Sequence, residues 1–114
     1  MRILLDINME IRRGILFIRL IGKLNKETAK YFQKEVSNLI EEKGLKYLVM
    51  NLSNIEDIDE TGIDLILKEY RYIAKINGKV VVCGINQNKK IEKKIFNDFY
   101  KSDNELQAFS IINI

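Results

Sequence analysis

At 114 residues, 46% hydrophobic and 31% charged, the chain is long enough to bury a core without staples. It reads as a single soluble, globular domain over residues 1–114. A net charge of +3, with lysines scattered among acids, is too weak a bias to argue for direct nucleic-acid binding. No apolar run approaches the roughly 20 residues of a membrane span, and the stretch Met1 to Asp6 meets a charge too early for a signal segment. The lone Cys83 cannot form an internal disulfide, which fits a cytoplasmic protein. There is no histidine, no Gly-rich phosphate cradle and no Cys/His cluster, so no catalytic residue, cofactor or metal is expected.

In chain order, Ile3, Leu5, Ile7, Met9 and Ile11 alternate with Asp6, Asn8, Glu10 and Arg12, the pattern of a strand with one dry and one wet face. Arg12-Arg13-Gly14 supplies a turn, and Ile15 to Ile21 forms a second strand, apolar on both faces except at Arg19. The short connection favours an antiparallel hairpin. Gly22 to Asn25 is expected to break that strand, with Asn25 the N-cap of a helix running to about Lys43. Ala29, Phe32, Val36, Leu39 and Ile40 make its buried stripe, and Lys30, Lys34, Ser37 and Glu41 its solvated side. Gly44 sits where a left-handed residue ends a helix.

A strand at Tyr47 to Leu52 follows, and the strand–helix–strand order implies a right-handed parallel crossover. A second helix is expected from about Gly62 to Ile76, ending at Asn77-Gly78, with Ile63, Ile66, Leu67, Tyr70, Ile73 and Ala74 on its main apolar face. Leu65, Tyr72 and Ile76 form a second line, either packing on the neighbouring helix or, for Leu65, touching a partner. Val80 to Cys83 is a further buried strand in which Cys83 is an inert core residue. Asn86-Gln87-Asn88 opens a helix bearing Ile91, Ile95 and Phe96 opposite Lys89, Lys90, Lys93 and Lys94, a solvated charge face. Phe99-Tyr100-Lys101 reads as a short edge strand. Ser102 with Glu105 reads as the capping box of a last helix carrying Leu106, Phe109 and Ile112. Because the middle strands are apolar on both sides, an accessory segment or another copy of the chain must cover the second face of the sheet.

Chemistry concentrates between Asn51 and Ile63, read as a loop leaving a buried strand and entering a helix, where open α/β sheets place their sites. It holds Glu56, Asp57, Asp59 and Glu60, acids favoured by the partial positive charge of a helix start. Thr61 with Asp64 reads as a capping box, with Gly62 at the first helical position.

The runs Ile18-Arg19-Leu20-Ile21-Gly22-Lys23-Leu24-Asn25, Thr28-Ala29, Asn51-Leu52-Ser53, Ile58-Asp59-Glu60-Thr61-Gly62-Ile63 and Ile76 to Cys83 together resemble a STAS domain of the bacterial anti-sigma factor antagonist family, over about Ile3 to Gly84. The resemblance implies an α/β fold: a mixed, mostly parallel sheet of four to five strands with an N-terminal antiparallel hairpin and about four helices. It implies a non-enzymatic role in transcription regulation, in which the antagonist binds an anti-sigma factor of the serine-kinase type and is released when the first serine of an Asp-Ser-Ser-Gly or Asp-Ser-Ala-Gly motif is phosphorylated. Here Asp59 matches the motif aspartate, but Glu60 occupies the phosphoacceptor position and Thr61 the next. Three readings follow: Glu60 as an incomplete phosphoserine mimic, Thr61 as a displaced phosphoacceptor, or a phosphorylation-independent acidic contact. The first and third are preferred, on the expectation that the Thr61 hydroxyl is engaged in capping. The expected contact surface is Asp57, Asp59, Glu60, Thr61, Gly62, Ile63, Asp64 and Leu65. A small-molecule or nucleotide-binding regulatory module is the rival reading, and a homodimer is left open.

Overall fold

The computed structural model describes residues 4–85 and 99–112. Strand β1 (Leu5–Arg12) and strand β2 (Ile15–Leu24) form the expected antiparallel hairpin, turned by Arg13 and Gly14, both with positive φ. Strand β3 (Tyr47–Ile58) pairs parallel with β2, strand β4 (Lys79–Cys83) parallel with β3, and the short edge strand β5 (Tyr100–Ser102) parallel with β4. The sheet has five strands in sequential order, β1-β2-β3-β4-β5. A parallel neighbour must be reached by a crossover, and the β2–β3 and β3–β4 crossovers each carry a helix.

Helix α1 runs through an α-helical piece, Ala29–Phe32, a π-helical piece, Gln33–Ser37, and a second α-helical piece, Asn38–Lys43. It ends as its sequence suggests, on Gly44 at φ +59°. Helix α2 is Glu60–Lys75 and helix α3 is Glu105–Ile112. Phe32, Val36 and Ile40 of α1 and Ile63, Ile66 and Ile73 of α2 bury against Leu16, Ile18, Leu20, Leu48, Met50, Leu52, Val80 and Val82 of the sheet. Leu65 is buried in this same core and Tyr72 packs against it, so these two of the second apolar line of α2 face the protein, while Ile76 is half-buried. The π turn brings Ser37, expected on the solvated side, into the interior, where its hydroxyl donates to Glu69 Oε1 at 2.5 Å. Among the described residues Glu69 Oε2 has no partner, and burial pushes this carboxyl above its ordinary range, with the Ser37 bond opposing.

The second face is covered by the chain itself. Ala108 and Ile112 of α3 bury against Ile15, Phe17, Val49, Val81 and Cys83. Cys83 is fully buried and its thiol is pushed up to about 11, first by desolvation and then by Glu105, which fits an inert core residue. Helix α3 is pinned at its start by a polar cluster. Arg19 donates through Nε and Nη2 to the two oxygens of Glu105, each at 2.8 Å, and Asn51 Nδ2 donates to Glu105 Oε2 at 2.7 Å. The Arg19 bonds, with that from Asn51, hold the Glu105 carboxyl below its ordinary range against the opposing effect of burial.

Several boundaries differ from the sequence expectation. β2 continues through Gly22 and Lys23 to Leu24, because β3 is longer than expected and keeps pairing with it as far as Leu24 opposite Ile58. The cap of α3 is Asn104, not Ser102: Asn104 Oδ1 accepts from Gln107 N–H at 2.9 Å, while the Ser102 hydroxyl donates to Asn104 O. Leu106 lies on the outside of α3, 77% exposed, rather than on its buried face with Ile112. The expected helix from Asn86, with its lysine face, falls outside the described residues.

Candidate functional site

The stretch from Asn51 to Ile58 is strand, not loop. Between the pairs Arg19↔Asn51 and Ile21↔Asn54, and again between Gly22↔Ile55 and Lys23↔Asp57, β3 carries one more residue than β2. Each extra residue is a bulge that turns the following side chains over. Leu52, Ile55 and Ile58 therefore all reach the core at a spacing of three, while Glu56 and Asp57 both face water. Only Asp59 separates strand from helix.

Asp59 is the N-cap of α2, in extended geometry with φ −99° and ψ −175°. Its Oδ1 accepts from Gly62 N–H at 2.9 Å, its backbone O accepts from Ile63 N–H at 3.0 Å, and its Oδ2 accepts from Lys26 N–H at 3.3 Å. The carboxylate thus meets donors that the first helical turn cannot satisfy internally. The expected capping box of Thr61 with Asp64 is not formed. Asp59 occupies the cap because its backbone is the last extended one before the helix, whereas Thr61 is already inside the first turn. Among the described residues, the Thr61 hydroxyl makes no hydrogen bond.

Asp57, Glu60 and Asp64 are exposed, as is Glu56, and Thr61 is half-buried. They ring the start of α2 at the carboxyl end of the central strand, where two strands and a helix N-terminus meet. Gly62, Ile63 and Leu65 are buried, the last two at 8% and 6% exposure, so they support the surface from beneath. A Cβ on Gly62 would lie 2.5 Å from Leu24 O and 2.7 Å from Ile58 Cγ1, so the helix start approaches β2 as closely as a backbone allows.

Sequence reasoning missed one wall of this site. Asn25 does not cap a helix that begins at once; its Oδ1 accepts from Glu27 N–H at 2.9 Å and Thr28 N–H at 3.2 Å, forming a turn before α1. Thr28, buried at 5% exposure, donates through its hydroxyl to Lys23 O at 2.9 Å and accepts from Asn25 N–H at 3.0 Å. This turn presents Lys26 to Asp59, and the Asn25…Thr28 spacing was the available signal for it. Lys23, opposite Asp57 in the sheet, and Lys26, whose N–H donates to Asp59, border Glu56, Asp57, Asp59, Glu60 and Asp64.

The fold and the site together define an α/β domain with a mixed five-stranded sheet, whose solvent-facing chemistry at the end of its middle strand is carboxylate and hydroxyl on a capped helix. The chain belongs to the STAS domain family, whose model matches residues 6–104. It is 32% identical over 82 residues to the Anti-sigma F factor antagonist of Paenibacillus polymyxa, covering 72% of this chain and 70% of that protein. Its fold is that of the anti-sigma factor antagonist SpoIIAA in its unphosphorylated form, with a TM-score of 0.79 at 19% identity over 95% of this chain and 98% of that one. The phosphorylated form of SpoIIAA superimposes with a TM-score of 0.71 at 16% identity, over 93% and 99% of the two chains.

Proposed function

We propose that this chain is an anti-sigma factor antagonist that binds its partner through the acidic start of α2 and does so without phosphorylation at position 60. The observation that carries this is the division of labour between neighbouring carboxylates. Asp59 is committed to the cap, whereas Glu60, the first residue of α2, is exposed and carries no hydrogen bond or ion pair among the described residues. Asp57, Glu60 and Asp64 would then meet a basic surface on the anti-sigma factor, with charge complementarity setting encounter rate and register. A carboxylate cannot hold a phosphoryl group as the stable ester that a hydroxyl forms. Glu60 supplies one negative charge where a phosphoserine would carry about −1.5 to −2. It is therefore at most a partial imitation of the phosphorylated state.

Thr61 gives the second reading its own support, since its half-buried hydroxyl is not engaged in capping. Incubating the chain with a kinase-type anti-sigma factor and ATP, followed by intact-mass analysis, separates the two. The proposal expects no added phosphate on the native chain and one on Glu60→Ser. Phosphate on the native chain that disappears in Thr61→Ala assigns the acceptor to Thr61 instead. Pull-down then measures imitation: equal recovery of the anti-sigma factor by the native chain and Glu60→Ser means a phosphorylation-independent contact, and poorer recovery by the native chain means Glu60 mimics phosphate. Recovery by neither refutes the antagonist reading.

A further inference from the structure

We propose that the cavity between the β1–β2 turn and α3 is a binding site for a small amphipathic anion, a carboxylate or phosphate monoester with an aliphatic or aromatic body. The cavity is about 380 Å³ and is lined by Arg12, Arg13, Phe17, Glu105, Leu106 and Phe109. That volume falls in the range of small-ligand pockets, and the lining divides evenly between apolar Phe17, Leu106 and Phe109 and charged Arg12, Arg13 and Glu105, as a ligand with a polar head and an apolar body requires. Phe17 belongs to the core of the second sheet face and Phe109 packs against that core. Leu106 stands 77% exposed beside them, an apolar wall with little protein covering it.

The charge of the cavity favours an anion. Glu105 is the single acid lining it, and both of its oxygens are taken by Arg19 and Asn51, so it is not available to a cation. Arg13 lies with its guanidinium 5.9 Å from the centre of the Phe109 ring and has no carboxylate partner among the described residues. Arg12 pairs with Glu10 at 3.3 Å, with side chains 67% and 42% exposed, a contact worth little and readily exchanged. Two guanidiniums at the rim offer planar, bidentate recognition of a carboxylate or phosphate head, and the aromatic and aliphatic floor takes the body. Since Ile15 pairs with Tyr47 and Leu24 with Ile58, the β1–β2 turn lies at the far end of β2 from the acidic patch. The two sites are therefore independent, and the failure of either leaves the other standing.

The test is titration of the full chain with decanoate and with octyl phosphate, followed by amide NMR, with decanol and decyltrimethylammonium as controls. Saturable shifts confined to Arg13, Phe17, Leu106 and Phe109 with either anion support the site, and the tighter of the two names the head group. Arg13→Asn, which suits the left-handed backbone at φ +53°, should weaken the anions about tenfold, the loss of one charge-assisted contact, with no change in melting temperature. Decanol binding as tightly as decanoate, shifts centred on Glu60 instead, or no saturable shift at millimolar anion overturns it.

Discussion

Replacing Asp59 by alanine removes the acceptor for Gly62 N–H at 2.9 Å and for Lys26 N–H at 3.3 Å. Loss of an N-cap acceptor costs about 0.5–2 kcal/mol, and loss of a negative charge at a helix start about 0.3–1 kcal/mol more. The longer bond to Lys26 lies at an exposed backbone group and adds little. The sum is about 2 kcal/mol, equivalent to a fall in melting temperature of roughly 6–12 °C for a chain of this size. Asp59→Asn separates the two contributions, because asparagine caps as well as aspartate and loses only the charge; it should cost about 0.5 kcal/mol. Urea denaturation followed by circular dichroism reads both variants. If Asp59→Ala stays within about 0.5 kcal/mol of native, or Asp59→Asn is as damaging as Ala, the assignment of Asp59 as a hydrogen-bonding cap is wrong.

Glu69, held above its ordinary carboxyl range by burial, binds its proton more tightly in the folded than in the unfolded chain. Its contribution is fully present below the unfolded value near 4.5 and is lost as pH rises through the folded value, and Glu69→Gln should remove this decline in urea midpoints measured upward from pH 4.5. Glu105 has the opposite sign: it is held low by Arg19, so its stabilisation is present above 4.5 and is lost as pH falls from there through the folded value. Glu105→Gln should flatten that acid limb and cost about 1–2 kcal/mol near neutrality, as seen by the same denaturation. Gly62→Ala should destabilise by about 1–3 kcal/mol despite alanine's better helix propensity of about 1 kcal/mol, because its Cβ would press on Leu24 O at 2.5 Å; a stabilised variant in calorimetry would refute that contact.

The parallel pairing, the hairpin and the core face of α2 from Ile63 to Ile73 were legible because their residues keep one period, although Ala74, expected on that face, is exposed. Val80 to Cys83 is a continuous apolar run, and α2 repeats its apolar residues at helical spacing over four turns. What was not legible breaks period locally. Leu52, Ile55 and Ile58 stand three apart because β3 carries two bulges, and a strand with that spacing cannot be told from a loop by alternation. Ser37 reads as solvent-facing on a regular helix and is buried because the π turn rewinds the helix by a residue. The cover of the second face was also hidden. Its residues, Ala108 and Ile112, lie on a different side of α3 from Leu106, and Ala108 is too small to signal a core position.

At the site, the four residues of the motif divide into two kinds, and spacing alone does not reveal which is which. Asp59 must accept from Gly62, and Gly62 must lack a side chain to let α2 start against Leu24, so both are fixed by the architecture. The side chains of Glu60 and Thr61 lie between them without a hydrogen bond to the described residues, one exposed and one half-buried. A hydroxyl in place of the carboxylate at position 60 would therefore leave the Asp59 cap and the Gly62 contact intact and remove one exposed negative charge. On the proposed reading, the cap and the glycine hold the surface in place, and the charge at position 60 sets how that surface meets an anti-sigma factor.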